Sequence, residues 1–173
     1  MGPVTTQFAK LDPGPSEKFG AISFLVTAIG TALVVVAFTV VNWFRGNDSS
    51  HFRDVHRVLV DSQGFGAHPQ TVAKLYFNWL GWVLLAVLVI LAVLAATPTI
   101  SGPFRIVAPV VAAGAVVVSV LAVNLFVSSD VSLGIREGFT YWLKAARVGL
   151  YLAVAGFLAI GVGAALGPGR EHD

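Results

Sequence analysis

Long apolar blocks, separated by polar interruptions of unequal length, set the layout of this chain. They cover residues 20–44, 76–96, 104–127 and 142–167. Blocks longer than about 18 residues predict helices that cross a bilayer, whereas a soluble core would show shorter periodic runs. The first block, at 1.5 Å per residue, would reach about 37 Å, enough for a ~30 Å hydrocarbon core with tilt. The predicted fold class is therefore an all-α membrane protein, an antiparallel bundle of four transmembrane helices.

The polar stretches fill in the rest. Residues 1–19 hold no apolar core, and Asp12-Pro13-Gly14-Pro15 is a breaker cluster, so the segment is read as a disordered or extended tail and not as a secretory signal. Residues 45–75 form a large first loop. Within it Phe52, Val55, Val58 and Leu59 make one apolar stripe, while Arg53, Asp54, Arg57 and Asp61 lie mostly off it. This predicts a short amphipathic helix beginning after Ser49 or Ser50, resting on the interface or on a partner. A further helical turn near Thr71 should merge with the second span. Thr97 to Pro103 makes a tight hairpin between the second and third spans. Residues 128–141 form a smaller second loop, in which Ile135, Phe139 and Trp142 suggest another interfacial helix. Residues 168–173 are a short polar tail.

Small residues mark the faces expected to pack. Thr27, Gly30, Thr31 and Val34 share a face of the first span, with hydroxyls able to bond back to the helix. Ala108, Ala112, Ala115, Ser119 and Ala122 form a seam on the third, spaced alternately by four and three. Gly149, Ala153, Gly156, Gly163 and Gly167 fall in one sector of the fourth. Helices in lipid associate largely through close packing, so these stripes predict helix contacts.

Composition agrees. The chain has 173 residues, 56% hydrophobic and only 12% charged, with a mean hydropathy of +0.81. A net charge of +2 gives no reason to expect nucleic acid as a partner. With no cysteine, disulfides, thiolate zinc sites and thiol redox chemistry are excluded. The membrane-deep part of every span is free of Asp, Glu, Lys, Arg and His. Such groups usually mark ion and proton paths, so their absence argues against a pump, a channel or a haem carrier. His51, His56 and His68 share the first loop with Asp48, Asp54 and Asp61. His51 and His56 are five apart and diverge on a helix, so no metal or cofactor site is expected. Ser49, Ser50, Asp54 and His56 lack a nucleophile elbow, so no catalytic residue is assigned.

One end of the bundle stands apart. All four tryptophans (Trp43, Trp79, Trp82 and Trp142) lie at the loop end, as do Asn42, Asn78 and Asn124. Interfacial anchoring explains this. A docking surface or a lipid-headgroup notch would use the same residues, so Asn42, Trp43, Phe52, Val55, Leu59, Asn78, Trp79, Trp82 and Trp142 are the candidate contacts.

Asn42-Trp43, the His51-Phe52-Arg53-Asp54-Val55-His56-Arg57 loop, Asn78-Trp79-Leu80-Gly81-Trp82, the tight hairpin and the second short loop together make a layout that resembles small four-span proteins of actinobacteria. In particular it is similar to the LucB-type accessory subunits of mycobacterial Mce lipid importers. That resemblance implies a scaffold or regulator beside a lipid-transporter permease, without transport chemistry of its own. Two alternatives remain open: a lipid- or quinone-binding protein using the Trp/Asn-rich end, and a homo-oligomeric claudin-like tetraspan, which lacks the cysteine pair expected in its first loop.

Charge bias sets the expected orientation. Arg45, Arg53, Arg57, Lys74, Arg136, Lys144 and Arg147 lie on the loop side, against Lys10, Lys18, Arg105 and Arg170 on the other. This places the loops in the cytoplasm of a cell bounded by an inner (plasma) membrane. In intact cells, an impermeant thiol reagent should label a Thr5→Cys variant and spare Ser62→Cys. The opposite pattern reverses the assignment.

Overall fold

The computed structural model describes residues 20–44, 50–61, 70–98, 100–131 and 146–167. Only the backbone is described for residues 50, 56, 58–61, 70–71 and 127–131. Both tails, parts of both loops and the second predicted loop helix fall outside these residues.

The long elements are helices α1 (Ala21–Thr39), α4 (Gly81–Ala96), α5 (Ser101–Val131) and α6 (Val148–Leu166). Between α1 and α4 lie strands β1 (Asn42–Phe44) and β2 (Ser50–His51), helix α2 (Phe52–Asp61), the short helix α3 (Gln70–Leu75) and a π-helical turn, Tyr76–Leu80. The turn joins α3 to α4 without a break, so the second apolar helix runs from Val72 to Ala96. Four helices are thus long and apolar enough to span a bilayer. The chain is a four-helix membrane bundle.

Helix α6 is its centre. Half of its most apolar stretch is buried, against a third for each of the other three, and it contacts all of them. The α1–α6 interface is the most extensive in the bundle, followed by α5–α6. The reason is the side chain missing at Gly30 and Gly156. A Cβ on Gly30 would stand 2.7 Å from the Gly156 carbonyl oxygen, and one on Gly156 would stand 2.6 Å from that of Gly30. Backbone therefore meets backbone. Nearby, Ser23 Oγ donates to the Gly163 carbonyl, and the Thr27 hydroxyl rests against Gly163. Thr31 bonds back to the Thr27 carbonyl at 2.8 Å, but Thr27 Oγ1 is buried with no hydrogen-bond partner among the described residues.

The α5 seam is buried throughout, at Ala108, Ala112, Ala115, Ser119 and Ala122. Ala112 lies against Gly161 of α6. Pro109 lies inside α5, eight positions after its first residue, Ser101, as the helix begins earlier than expected. At the far end Arg105 donates to the Ala165 and Leu166 carbonyls at 3.1–3.3 Å, meeting the open C-terminus of α6 with a cation. Gly167 follows at φ 63° and packs on that arginine.

Several boundaries differ from expectation. The first helix ends at Thr39 instead of Phe44, because β1 turns Trp43 back into the bundle. The fourth begins at Val148 instead of Trp142. Ala146 bridges Phe44, and Arg147 is extended with its N–H bonded to the Trp43 carbonyl at 2.9 Å.

Because Gly156 faces backbone, Gly156→Leu should separate α1 from α6 and cost about 1–3 kcal/mol. A Cβ on Gly114 would meet nothing within 4 Å, so Gly114→Ala should match the wild type or gain up to ~1 kcal/mol in helix stability. Thermal unfolding in mild detergent distinguishes the two.

Candidate functional site

The loop end is built around an aromatic cluster. Helix α1 brings Phe38, β1 brings Trp43 and Phe44, α2 brings Phe52, and the π turn brings Tyr76 and Phe77. Phe38 and Phe52 stack at 4.2 Å, and Trp43 meets Phe52 and Phe77 edge-on at 5.2 and 5.6 Å. A π turn adds one residue to a helical turn. Here it lets two consecutive rings, Tyr76 and Phe77, both point inward while Asn78 and Trp79 face out. Gly81 follows because a Cβ there would stand 2.9 Å from the Phe52 ring.

Trp43 is fully buried. Its indole Nε1 donates to the Ala37 carbonyl at 2.6 Å, satisfying one of the C-terminal carbonyls of α1. Gly149 of α6 makes room for the same ring. As a candidate contact residue, Trp43 is corrected to an internal anchor. Val55 is corrected in the same way, since it is buried within the chain. Phe52 is also largely buried, but its ring lines the cleft beside the cluster. Of the α2 stripe, Phe52 and Val55 pack into their own bundle. Tyr76 is buried too, with its hydroxyl 2.7 Å from Ser119 Oγ, which itself donates to the Ala115 carbonyl at 2.7 Å.

The outward residues are Asn78, Trp79 and Trp82, with Trp79 48% and Trp82 39% exposed. Asn42 is half-buried and pairs with His51 across the two-stranded ribbon. Asn42 Oδ1 and His51 Nδ1 are buried and lack a hydrogen-bond partner among the described residues. The side chain of Leu59, and Trp142 altogether, lie outside the described residues. Of the packing positions, Ala112, Ala115, Ser119, Gly149, Gly156, Gly163 and Gly167 are all buried.

Two hollows open beside the cluster. A cleft of about 520 Å³ is lined by Phe38, Thr39, His51, Phe52, Arg53, Asp54, Phe77, Asn78 and Trp82. Its floor is aromatic and its rim is polar and charged. A shallower hollow of about 350 Å³ lies beyond His51, toward Asn42 and Arg147. Among the described residues no group of three His, Asp, Glu or Cys gathers as a metal site. The arrangement therefore offers amphipathic binding and no assembled reactive group.

The class this defines is a multi-pass helical membrane protein with an aromatic-capped loop end. Comparison with protein-family models, curated proteins and solved structures returns no match.

Sequence reasoning missed the role of His51 and Arg53 in the cleft and the inward turn of Trp43. The one available signal was Gly81, an unbranched position amid bulky neighbours.

Trp43→Phe keeps a ring but loses the indole donor. It should cost about 1–3 kcal/mol for the unpaired Ala37 carbonyl. Trp43→Ala should cost about 3–5 kcal/mol. Trp79→Ala, on the exposed face, should leave the unfolding temperature close to that of the wild type.

Proposed function

We propose that this chain is a non-catalytic accessory subunit of a larger membrane complex. The observation that carries the reading is how the polar groups at membrane depth are used. The hydroxyls of Ser23, Thr31, Tyr76 and Ser119 are spent on hydrogen bonds within or between the helices, and the core around them is filled by Leu, Val, Ala and aromatic side chains. Such a core holds a shape and offers no chain of ionisable groups for transport chemistry.

The outward faces supply the surface such a subunit needs. Ile22, Leu25 and Ile29 of α1 and Ile106, Val110, Val117 and Leu121 of α5 are exposed apolar side chains. In a bilayer they meet lipid or the helices of other integral membrane subunits. The resemblance to LucB-type subunits makes the permease of a Mce-type lipid importer the specific partner, with the chain in the plasma membrane and its loops in the cytoplasm.

Purification in mild detergent at native expression should return stoichiometric integral-membrane partners, with a lipid-importer permease among them for the narrower reading. A clean monomer or homo-oligomer overturns the accessory role.

A further inference from the structure

A second, separate hollow lies farther along the helix pair that contributes Phe38, Thr39 and Trp82 to the loop-end cleft. That hollow, about 360 Å³, is lined by Phe24, Thr27, Ala28, Thr31 and Ala32 of α1 and by Val89, Ala92, Val93 and Ala96 of α4. The pairing is antiparallel and regular. Residues 24–32 of α1 line the groove together with residues 89–96 of α4, and nearer the loops the rings of Phe38 and Trp82 meet edge-on at 5.1 Å. Both hollows therefore lie on one α1–α4 seam. This seam is much slighter than the α1–α6 interface. The polar-rimmed cleft is at its loop end, and the apolar groove runs on toward the opposite face.

We propose that the α1–α4 seam binds one bilayer phospholipid with a phosphoethanolamine headgroup. The headgroup sits in the loop-end cleft and one acyl chain lies in the groove. Three observations select this occupant. First, polarity divides along the seam as it does along a lipid. His51, Arg53, Asp54 and Asn78 rim the cleft, while the groove wall is Ala, Val and Phe with only Thr27 and Thr31. The Thr31 hydroxyl is already bonded back to α1.

Second, depth fits. Exposed Trp79 and Trp82 mark the interface beside the cleft. From Phe38 α1 rises about 9 Å to Ala32 and about 15 Å to Ala28, within the ~15 Å that one leaflet contributes to the hydrocarbon core. An acyl chain whose headgroup is at the cleft therefore reaches the loop-side half of the groove, as far as Ala28.

Third, the rim carries both signs of charge. Arg53 and the Asn78 amide suit a phosphodiester. Asp54, on the same rim, suits an ammonium. A headgroup carrying phosphate and a primary ammonium satisfies both. An anionic glycerol headgroup leaves the carboxylate opposed, and a choline presents no N–H to it. The site does not depend on the accessory-subunit reading, because it is complete within one chain.

The full chain would be reconstituted in nanodiscs containing equal phosphatidylethanolamine, phosphatidylglycerol and phosphatidylcholine, then released for native mass spectrometry. The expected result is one retained phosphatidylethanolamine per chain, enriched at least tenfold over the other two. Asp54→Asn should abolish the enrichment. Ala28→Leu, an exposed position that narrows the groove, should lower retention of every lipid. Free O-phosphoethanolamine at millimolar concentration should not displace the lipid, because the groove contributes through the chain; displacement would show a soluble phosphate-ester site instead. Equal retention of the three lipids, or enrichment unchanged in Asp54→Asn, overturns the proposal. So does an Ala28→Leu chain that elutes folded and retains lipid like the wild type. Should Ala28→Leu fail to fold, the Asp54→Asn comparison decides alone. Loss of a co-purifying subunit from Ala28→Leu, with lipid retention unchanged, would assign the groove to a partner helix and likewise overturn it.

Discussion

The contact between the Gly30 and Gly156 backbones governs how the four spans are arranged. In a bilayer, lipid tails compete with side chains on nearly equal terms, so helices gain mainly by fitting closely. Where two glycines face each other, helix axes approach further than any side chain allows, and dispersion contacts and a buried Ser23–Gly163 hydrogen bond follow. That approach draws α1 onto α6 along most of its length. Because α5 also packs on α6 through its alanine seam, α6 becomes the hub. Helix α1 then reaches α4 along a slight seam, and two hollows lie along it.

The loop end solves a different problem. Helix α1 stops short of its apolar block, leaving carbonyls that need donors in a place poor in water. Trp43 meets this need by folding back: its indole serves the Ala37 carbonyl, and its own carbonyl takes the Arg147 N–H. One residue thus ends the first helix and sets where the fourth begins. The ring is then wrapped by Phe38, Phe52, Tyr76 and Phe77, and the π turn is what allows the last two to face inward together. The amphipathic helix α2 contributes Phe52 and Val55 to this cap. Its charged N-terminal residues are left on the rim of the cleft. Site and fold are therefore built from the same helix: its apolar side closes the core, and its polar side supplies Arg53 and Asp54.

How much of this could be read from residues alone varies with the kind of pattern. The small-residue stripes are periodic in the helix itself, so Gly149, Gly156 and Gly163, or Ala112, Ala115 and Ser119, announce a face without any knowledge of the partner. The tryptophans do not. A Trp at the end of an apolar block reads equally as an interfacial anchor and as a buried ring, and Trp43 and Trp79 look alike in sequence. They differ because Trp43 lies in a strand that returns to the core, whereas Trp79 lies on the outer side of a π turn. Neither the strand nor the π turn has a periodic signal.

Four long, charge-poor apolar blocks, with turn residues between them, determined by themselves that this chain is a four-span helical membrane protein, because a hydrocarbon solvent accepts backbone only when each segment satisfies its own hydrogen bonds. The same local periodicity determined which faces are smooth enough to pack. The tertiary structure decided which smooth face met which. The glycine face of α6 took α1, and the alanine seam of α5 took the remaining side of α6. What was left over along α1 and α4, an apolar groove and, nearer the loops, a separate cleft edged by His51, Arg53, Asp54 and Asn78, belongs to no single segment. It exists because residues far apart in the chain are held side by side by contacts made elsewhere, and a linear pattern carries no record of such a remainder.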